Sequence, residues 1–458
     1  MKNILILILS ALLFTSCGYK NIQDIKKTDI NKLNETWKYK STNTKVPQLI
    51  DIQNFTDLRT YLNEVNQQNL DLKTLILTIE IFKENKKIVN ANNKPNANFE
   101  IDSQRTKNTN RKSKTQIETD IKIDVSWSLD LWGKISDEIE VSKLEQEQKK
   151  FNYLHVRRVL FSEALLLWID LATITQKLEF NSKMQRIYKN LVQIAKEKFI
   201  KGLDNKENYI NYKEMINKLN IMNEELILNK RLAIFKLNIL RAKKPNSFLN
   251  IKTKNLMEMN IELPSTIEAT MLYGRYDILN AYKELEILNK KTRISYKAML
   301  PQITFSTNIT NSKQAIDSLS IEETLWQLIG GVTQPIFNAG QLESIAKTKS
   351  IESKISLQNY QKTILKALEE LEVNLEEKLS LEKRHKILQD NLKLNQEKVN
   401  SSKDGYLRNF KSLDEYLLQK IALLEYQEQL KDFEKAYLTN KIKLALIIGY
   451  KFENLLKN

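Results

Sequence analysis

The stretch Ile121-Lys-Ile-Asp-Val-Ser-Trp-Ser-Leu-Asp-Leu-Trp-Gly133 decides how this chain is read. Apolar residues stand at Ile121, Ile123, Val125, Trp127, Leu129 and Leu131, with polar or charged residues between them. Period two gives an extended strand one greasy face and one wet face. A half-buried strand of a soluble sheet and a membrane strand both satisfy that alternation. Two features point to the membrane. The run is roughly 11 residues long, about what crosses a hydrocarbon core when tilted. Trp127 and Trp132 stand where an aromatic belt would fall. After Gly133 the period changes at once to that of a long charged helix.

The whole chain supports long helices. Of 458 residues, 28% are charged, and only nine are Gly and six Pro. So few breakers leave little to interrupt a helix. The formal net charge of +16 invites a nucleic-acid partner, but the excess Lys is scattered beside Glu and Asp. No basic cluster with interleaved aromatics stands out, so nucleic acid is set aside.

The N-terminus reads as a targeting segment. Lys2 precedes a short apolar run, Ile4 to Phe14, too short to span a bilayer as a helix. It ends Leu13-Phe14-Thr15-Ser16-Cys17, which resembles a bacterial lipobox. Residues 1–16 are then a lipoprotein signal peptide and Cys17 the lipidated residue. Cys17 is the only cysteine, so no disulfide can form within one chain. By the same resemblance, Gly18 directs the protein to the outer membrane. Residues 17–50, polar and carrying Pro47, are expected to be a linker.

The rest of the chain runs through one plan twice. A helix from Phe55 to about Asn90 leads to a strand around Asn98–Asp102 and a loop from Arg105 to Gln116. The strand quoted above follows, then a helix to about Phe199, a turn at Gly202, and a helix back to about Leu240. In the second copy a helix from Leu263 to about Met299 leads to Leu300-Pro301 and a strand with Ile303, Phe305 and Ile309 on one face. A loop from Asn311 to Glu323, a strand ending at Gln334-Pro335 and a helix to about Ser402 come next. A turn near Asn409 and a helix back to Ile448 complete the copy. Asp71 and Asp277 are 206 apart (277 − 71), and Gly133 and Gly340 are 207 apart (340 − 133). A near-constant offset marks a tandem duplication, with copies at 51–248 and 249–450 and a tail at 451–458.

This plan constrains the assembly. A helix of roughly 65 residues is about 100 Å long and cannot bury itself alone. Leu357, Tyr360, Ile364, Leu368, Leu371 and Leu375 form a seam suited to coiled-coil contacts. In a bilayer only a closed barrel satisfies strand backbones, and barrels need about eight strands or more. Four strands per chain therefore demand an oligomer, and a trimer supplies twelve.

With these residues in hand, the sequence resembles the TolC-type outer membrane efflux proteins, in particular their lipidated, NodT-like branch. Trp127-Ser-Leu-Asp-Leu-Trp-Gly133, Leu300-Pro301, Pro335-Ile-Phe-Asn-Ala-Gly340, the Asp71/Asp277 pair and the Phe199-x-x-Gly202 turn carry the resemblance. It implies a mainly α fold with a transmembrane β part. Long coiled-coil hairpins build an α-barrel, and four strands per chain complete a twelve-stranded β-barrel in a homotrimer. It also implies an exit duct for efflux or type I secretion, working with a periplasmic adaptor and an inner-membrane transporter. Trp127, Gly133, Pro335 and Gly340 fall at the strand–helix junctions.

The resemblance further places the gate and adaptor-docking surface at the hairpin tips, which hold Gly202, Asp204, Asn208, Tyr406, Asn409, Lys411 and Glu415. Tyr406, Lys411 and Glu415 match the family's gating Tyr, Arg and acidic ring. The Arg is a Lys here and loses the bidentate fork. Asn208 replaces the acidic partner, Asn409 replaces a turn Gly, and the Pro of Asn-Pro-Asp-Leu is Leu70 and Tyr276. A Glu415 ring would favour cations.

Enzyme chemistry finds no footing. The only histidines are His155 and His385, both in expected helices and read as surface or tunnel-facing. They offer no zinc spacing. Gly330-Gly331 lacks the Lys of a phosphate loop. No metal or cofactor is expected. The rival reading is a periplasmic coiled-coil lipoprotein, structural or adaptor, which leaves the duplicated strands unexplained.

Overall fold

The computed structural model describes residues 56–107, 116–249, 269–316 and 319–450. Cys17 and the expected signal peptide, linker and tail from 451 lie outside them.

Two helices, α1 (Thr56–Gln68) and α2 (Leu70–Ala91), precede strands β1 (Asn96–Thr106) and β2 (Gln116–Leu129). The hairpin α3 (Lys134–Ile200) and α4 (Lys206–Leu240) follows. A 3-10 turn (Ala269–Gly274) opens the second copy, followed by α5 (Tyr276–Lys297), β3 (Gln302–Ile316), β4 (Leu319–Thr333), α6 (Gln341–Leu407) and α7 (Leu413–Ile447). The long helices of the two copies agree to the residue. α3 and α6 each have 67 residues, and α4 and α7 each have 35. Their starts are 207 apart (341 − 134 and 413 − 206). Left-handed backbone recurs at the same offset, at Gly133 and Gly340, Gly202 and Asn409, Ala242 and Gly449.

The first copy's opening helix is broken where the sequence pattern reads one unbroken run. Asn69 ends α1 and caps α2: its Oδ1 accepts from Leu72 N at 3.1 Å and its Nδ2 donates to Leu240 O at 2.8 Å. A side chain that satisfies free helix-end groups outcompetes continuation. Arg275 makes the matching break before α5. Its guanidinium donates to both carboxylate oxygens of Asp277 (3.0 and 2.7 Å) and to Glu370 (2.8 Å). The start of that helix expected at Leu263 lies outside the described residues.

The strands form one antiparallel sheet in the order β1-β2-β3-β4, and among the described residues β1 and β4 are its unpaired edges. The loop expected at Asn311–Glu323 is mostly strand. β3 runs to Ile316 and β4 starts at Leu319, with Asn311 opposite Thr324 and Lys313 opposite Glu322. Asn311 Nδ2 also donates to Thr324 Oγ1 at 2.9 Å. Cross-strand polar and charged pairs stabilise a hairpin that a hydrophobicity pattern alone passes over. β2 ends at Leu129, so Leu131 sits in the following turn.

The main core lies where α1 and α2 meet the middle of the long helices. Phe161, Ala164, Leu165, Trp168, Ile169 and Ala172 of α3 pack with Leu58, Leu62, Leu237, Leu285, Ala367 and Ile442. The apolar middle of α3 therefore serves this core. A second cluster toward the hairpin tips joins Met184, Ile187, Tyr188 and Leu191 to Leu219, Leu417 and Ile421. Roughly 67 residues at 1.5 Å per residue make each long helix about 100 Å long.

Candidate duct surfaces: sheet, junctions and hairpin tips

The sheet sorts its side chains by face. Rows across it read Phe99–Ile123–Ile309–Trp326, Ala97–Val125–Thr307–Leu328 and Leu129–Ile303–Val332. Phe99, Trp326, Leu328 and Val332 are all exposed, at 65 to 71%. From the Leu129 row to the Ile101–Ile121 row is eight residues (129 − 121), roughly 27 Å at 3.4 Å per residue. That is the scale of the apolar band on an outer-membrane barrel. The row just beyond, Ser103–Thr119–Lys313–Glu322, ends the band with charge. The opposite face carries Glu100, Asp102, Glu118, Asp120, Asp124 and Glu323 against Lys122. It is strongly acidic in a chain whose net charge is +16.

At the strand–helix junctions Trp127, Gly133 and Gly340 each have a structural task. Trp127 Nε1 donates to Asn93 O at 3.2 Å, and Trp132 Nε1 to Pro301 O at 2.7 Å. Both indoles thus tie a strand end to the helix–strand turn beside it. Gly133 turns the chain with φ of 69° and Gly340 with φ of 79°, a conformation that suits glycine. Gly133 O accepts from Lys297 Nζ at 3.0 Å, and the same ammonium reaches Asp137 at 2.6 Å. Asp137, buried, also faces Arg293 at 3.5 Å and Lys290 at 3.9 Å. Pro335 lies in the segment between β4 and α6, and its neighbours Ile336 and Phe337 are almost fully exposed.

Asp130 belongs to this junction too, and the alternation drew no attention to it. Its carboxylate accepts from Ile135 N, Ser136 N and Ser136 Oγ at 2.6 to 2.9 Å, capping α3. Burial works to raise this carboxyl, but the hydrogen bonds from Ser136 and the helix-end amides hold it below its ordinary value. The signal was present as an acid just ahead of a helix start.

The two tips close by the same bonds. Leu203 N donates to Lys198 O and Phe410 N to Gly405 O, both at 2.8 Å. Gly202 sits at φ of 69° and Asn409 at φ of 59°. Asn409 thus takes the left-handed turn for which asparagine is suited. Asp204 accepts from Asn205 N at 2.8 Å and from Asn208 Nδ2 at 3.0 Å. Asn208 is therefore engaged in its own turn. Tyr406 stacks on Tyr416 with centroids 6.2 Å apart and planes 9° apart. The Lys411 stem lies against Gly405, where an added Cβ would meet it at 3.1 Å. Glu415 is exposed, its amide donating to Ser412 Oγ at 3.4 Å.

The ion pair across the tips is made by residues the motif comparison passed over. Lys198 Nζ of the first hairpin reaches both oxygens of Asp414 on the second at 2.9 Å. Burial pushes the Asp414 carboxyl up, but Lys198 and Ser412 more than offset it and hold the group below its ordinary value. The tips also expose Ile200, Leu203, Leu407 and Phe410, at 66 to 84%. These are equivalent pairs at the 207 offset, so both hairpins present the same apolar knobs.

Both histidines are half-buried. His385 stacks on Phe433 at 5.4 Å and 3°. His155 lines an open pocket of about 700 Å³ with Gln148, Asp277, Asn280, Leu288 and Ile355. Burial, the largest influence, pushes its pKa below the ordinary value.

Residues 270–450 match the model of the outer membrane efflux protein family. The matched stretch holds most of the second copy, from the 3-10 turn through α7. The chain is similar to the probable outer membrane lipoprotein SilC of Salmonella typhimurium, 25% identical over 190 residues, 41% of each chain. It is also similar to the cation efflux system protein CusC of Escherichia coli K12, 20% identical over 395 residues, 86% of each. The match thus spans under half of SilC but most of CusC. Among solved structures, CusC superposes with a TM-score of 0.77 at 20% identity, covering 89% of this chain and 95% of CusC. The Campylobacter jejuni CmeC outer membrane channel gives 0.76 at 18% identity, covering 90% of each. Both carry the same helical and β fold.

Proposed function

We propose that this efflux-family protein is the outer-membrane exit duct of a tripartite efflux or type I secretion system, assembled as a homotrimer. The observation that carries it is the sheet. It has one apolar face, one acidic face and two open edges, and it continues into helical hairpins about 100 Å long. A lone open sheet cannot rest in hydrocarbon, because its edge amides and carbonyls lack partners. Three copies place twelve strands in a closed barrel with the apolar face toward lipid and the acidic face toward water. The duct is passive and calls for no enzyme chemistry, metal or cofactor.

Cys17 anchors the chain to the outer membrane as a lipoprotein in this reading, and the hairpins reach into the periplasm. The tips then meet a periplasmic adaptor, which links the duct to an inner-membrane transporter. The exposed knobs Ile200, Leu203, Leu407 and Phe410 supply apolar docking surface, and Gly202 and Asn409 set the turns that present them. Tyr406, Lys411, Glu415 and the Asp204–Asn208 pair line the same end.

Planar-bilayer recording of the detergent-extracted protein, with crosslinking to count subunits, tests the duct. Discrete cation-preferring openings from a trimer are expected. A monomer that neither inserts nor conducts would overturn the reading in favour of a periplasmic coiled-coil lipoprotein. Cation preference unchanged in Glu415→Gln would remove the tip ring from the account and leave the acidic barrel face as its source.

A further inference from the structure

The duplication lets one place in the helical wall be compared with its copy in the same chain. In the first copy Lys149 of α3 lays its ammonium over the ring of Phe82 on α2, 4.9 Å from the centroid. That is within cation–π range. At the repeat offset Lys149 becomes Ser356 on α6 (149 + 207) and Phe82 becomes Leu288 on α5 (82 + 206). The second copy therefore lacks both the ammonium and the ring. Ser356 and Leu288 instead line the open pocket of about 700 Å³ beside His155. That volume is in the usual range for a small-molecule site.

Other replacements around the same place run the opposite way. Thr74 and Thr78 of α2 become Asn280 and Glu284 of α5 (74 + 206 and 78 + 206), and both line the pocket. Where the first copy supplies a cation, the second supplies acceptors. Asn280 Oδ1 is buried and has no hydrogen-bond partner among the described residues, and the same holds for His155 Nδ1. An amide oxygen accepts only, and a neutral imidazole accepts at one nitrogen. Burial favours the neutral ring at His155. Buried polar atoms are normally satisfied, so two orphans on one pocket call for a donor.

The carboxylates on the pocket differ in what holds them. Asp277 is bound by Arg275 at 2.7 Å, and Glu352 by Lys349 at 2.8 Å. Glu284 accepts from the neutral amide of Gln148 at 2.7 Å, and among the described residues no ammonium or guanidinium offsets its charge. We propose that this pocket binds a primary-amine organic cation with a short apolar body, its ammonium taking the role that Lys149 plays in the first copy. The three N–H donors of an ammonium match the three acceptors, Glu284, Asn280 and His155. The apolar body covers Leu288 and Ile355, the latter 54% exposed, and gains from their removal from water. All of these residues belong to one chain, so the site does not rest on the trimeric duct.

Calorimetric titration of the detergent-extracted protein with n-hexylammonium chloride, in amine-free buffer, tests the site. Wild type should show saturable binding at one equivalent per chain, above a background of detergent partition common to all variants. Glu284→Gln should weaken it roughly tenfold or more, the loss expected for a hydrogen bond to a charged group. Hexanol, the neutral molecule of the same length, should bind more weakly than the cation by a similar factor. Ser356→Lys restores the first copy's own ammonium and should abolish binding with the melting temperature unchanged. Absence of saturable binding to wild type would overturn the proposal, as would unchanged binding in Ser356→Lys and Glu284→Gln together. A conducting trimer that fails to bind the amine would leave the duct standing and remove the site. A non-conducting monomer that binds it would leave the site standing and remove the duct.

Discussion

The two copies of the repeat share the lengths of their long helices and the places of their turns, yet they differ in what covers them. Ile287 of α5 is 2% exposed, and Ile81, its counterpart on α2, is 58% exposed. Ala172 of α3 is fully buried, and Leu379, its counterpart on α6, is 49% exposed. Each pair has the same place in the same element, so the difference comes from the neighbour. The first copy's long helix faces the second copy, and the second copy's long helix faces the side on which the protomer is open. An exposed apolar stripe on a well-formed helix is therefore a contact awaiting its partner, in line with what large apolar patches mark.

The largest effect that would break this comparison is in the core. Ile287→Ala should cost about 2–5 kcal/mol of protomer stability, the range for a buried aliphatic truncation. Ile81→Ala should stay within about 0.5 kcal/mol in the isolated protomer, as for an ordinary surface change. Denaturant unfolding in detergent, with and without trimer present, reads the contrast. Equal losses in the isolated protomer would mean that Ile81 is already covered within one chain.

The junction glycines should separate by a smaller amount. Both adopt left-handed backbone, where a Cβ costs roughly 1–2 kcal/mol. At Gly133 the added Cβ also meets Lys297 Nζ at 3.3 Å, whereas at Gly340 it meets nothing within 4 Å. Gly133→Ala should therefore lower the melting temperature more than Gly340→Ala. The reverse order in a thermal melt would show that Lys297 moves aside freely and that the Asp137 cluster does not depend on it.

The smallest effect belongs to the tips. The Lys198–Asp414 pair is partly exposed, with side-chain exposures of 34 and 25%, so it is worth about 0.2–1 kcal/mol. Its carboxyl titrates below the ordinary value. The pair's stabilisation is therefore complete above the ordinary aspartate range and is lost as the pH falls through the lowered pKa. Acidification should loosen the first tip from the second, seen as more frequent channel opening, and Asp414→Asn should remove that acid response. The two tips are thus tied to each other within one chain. An acid response that survives in Asp414→Asn would assign it to another group.

Much of this was legible in the chain. The period-two run from Ile121, the change of period after Gly133 and the offsets near 207 foretold strands, long helices and duplication. Each depends on local stereochemistry that repeats along the chain. The breaks at Asn69 and Arg275 were not legible, because each rests on a side chain reaching a distant element, Leu240 O or Glu370. The β3–β4 hairpin read as a loop because its polar residues satisfy one another across strands. At the tips, motif matching pointed to Tyr406, Lys411 and Glu415. The structure pairs Lys198 with Asp414, residues 216 positions apart.

The sequence by itself determined the elements, their order and their doubling, since helix and strand periods, left-handed turn residues and caps act within a few neighbours. Tertiary structure decided which copies of those elements face each other. It placed Ile287 in a core and Ile81 in the open, made Asp137 a hub for three cations and set the register of every strand. Most of those outcomes depend on packing between segments some 150 to 200 residues apart, and the energy of such contacts is invisible to any local window of sequence.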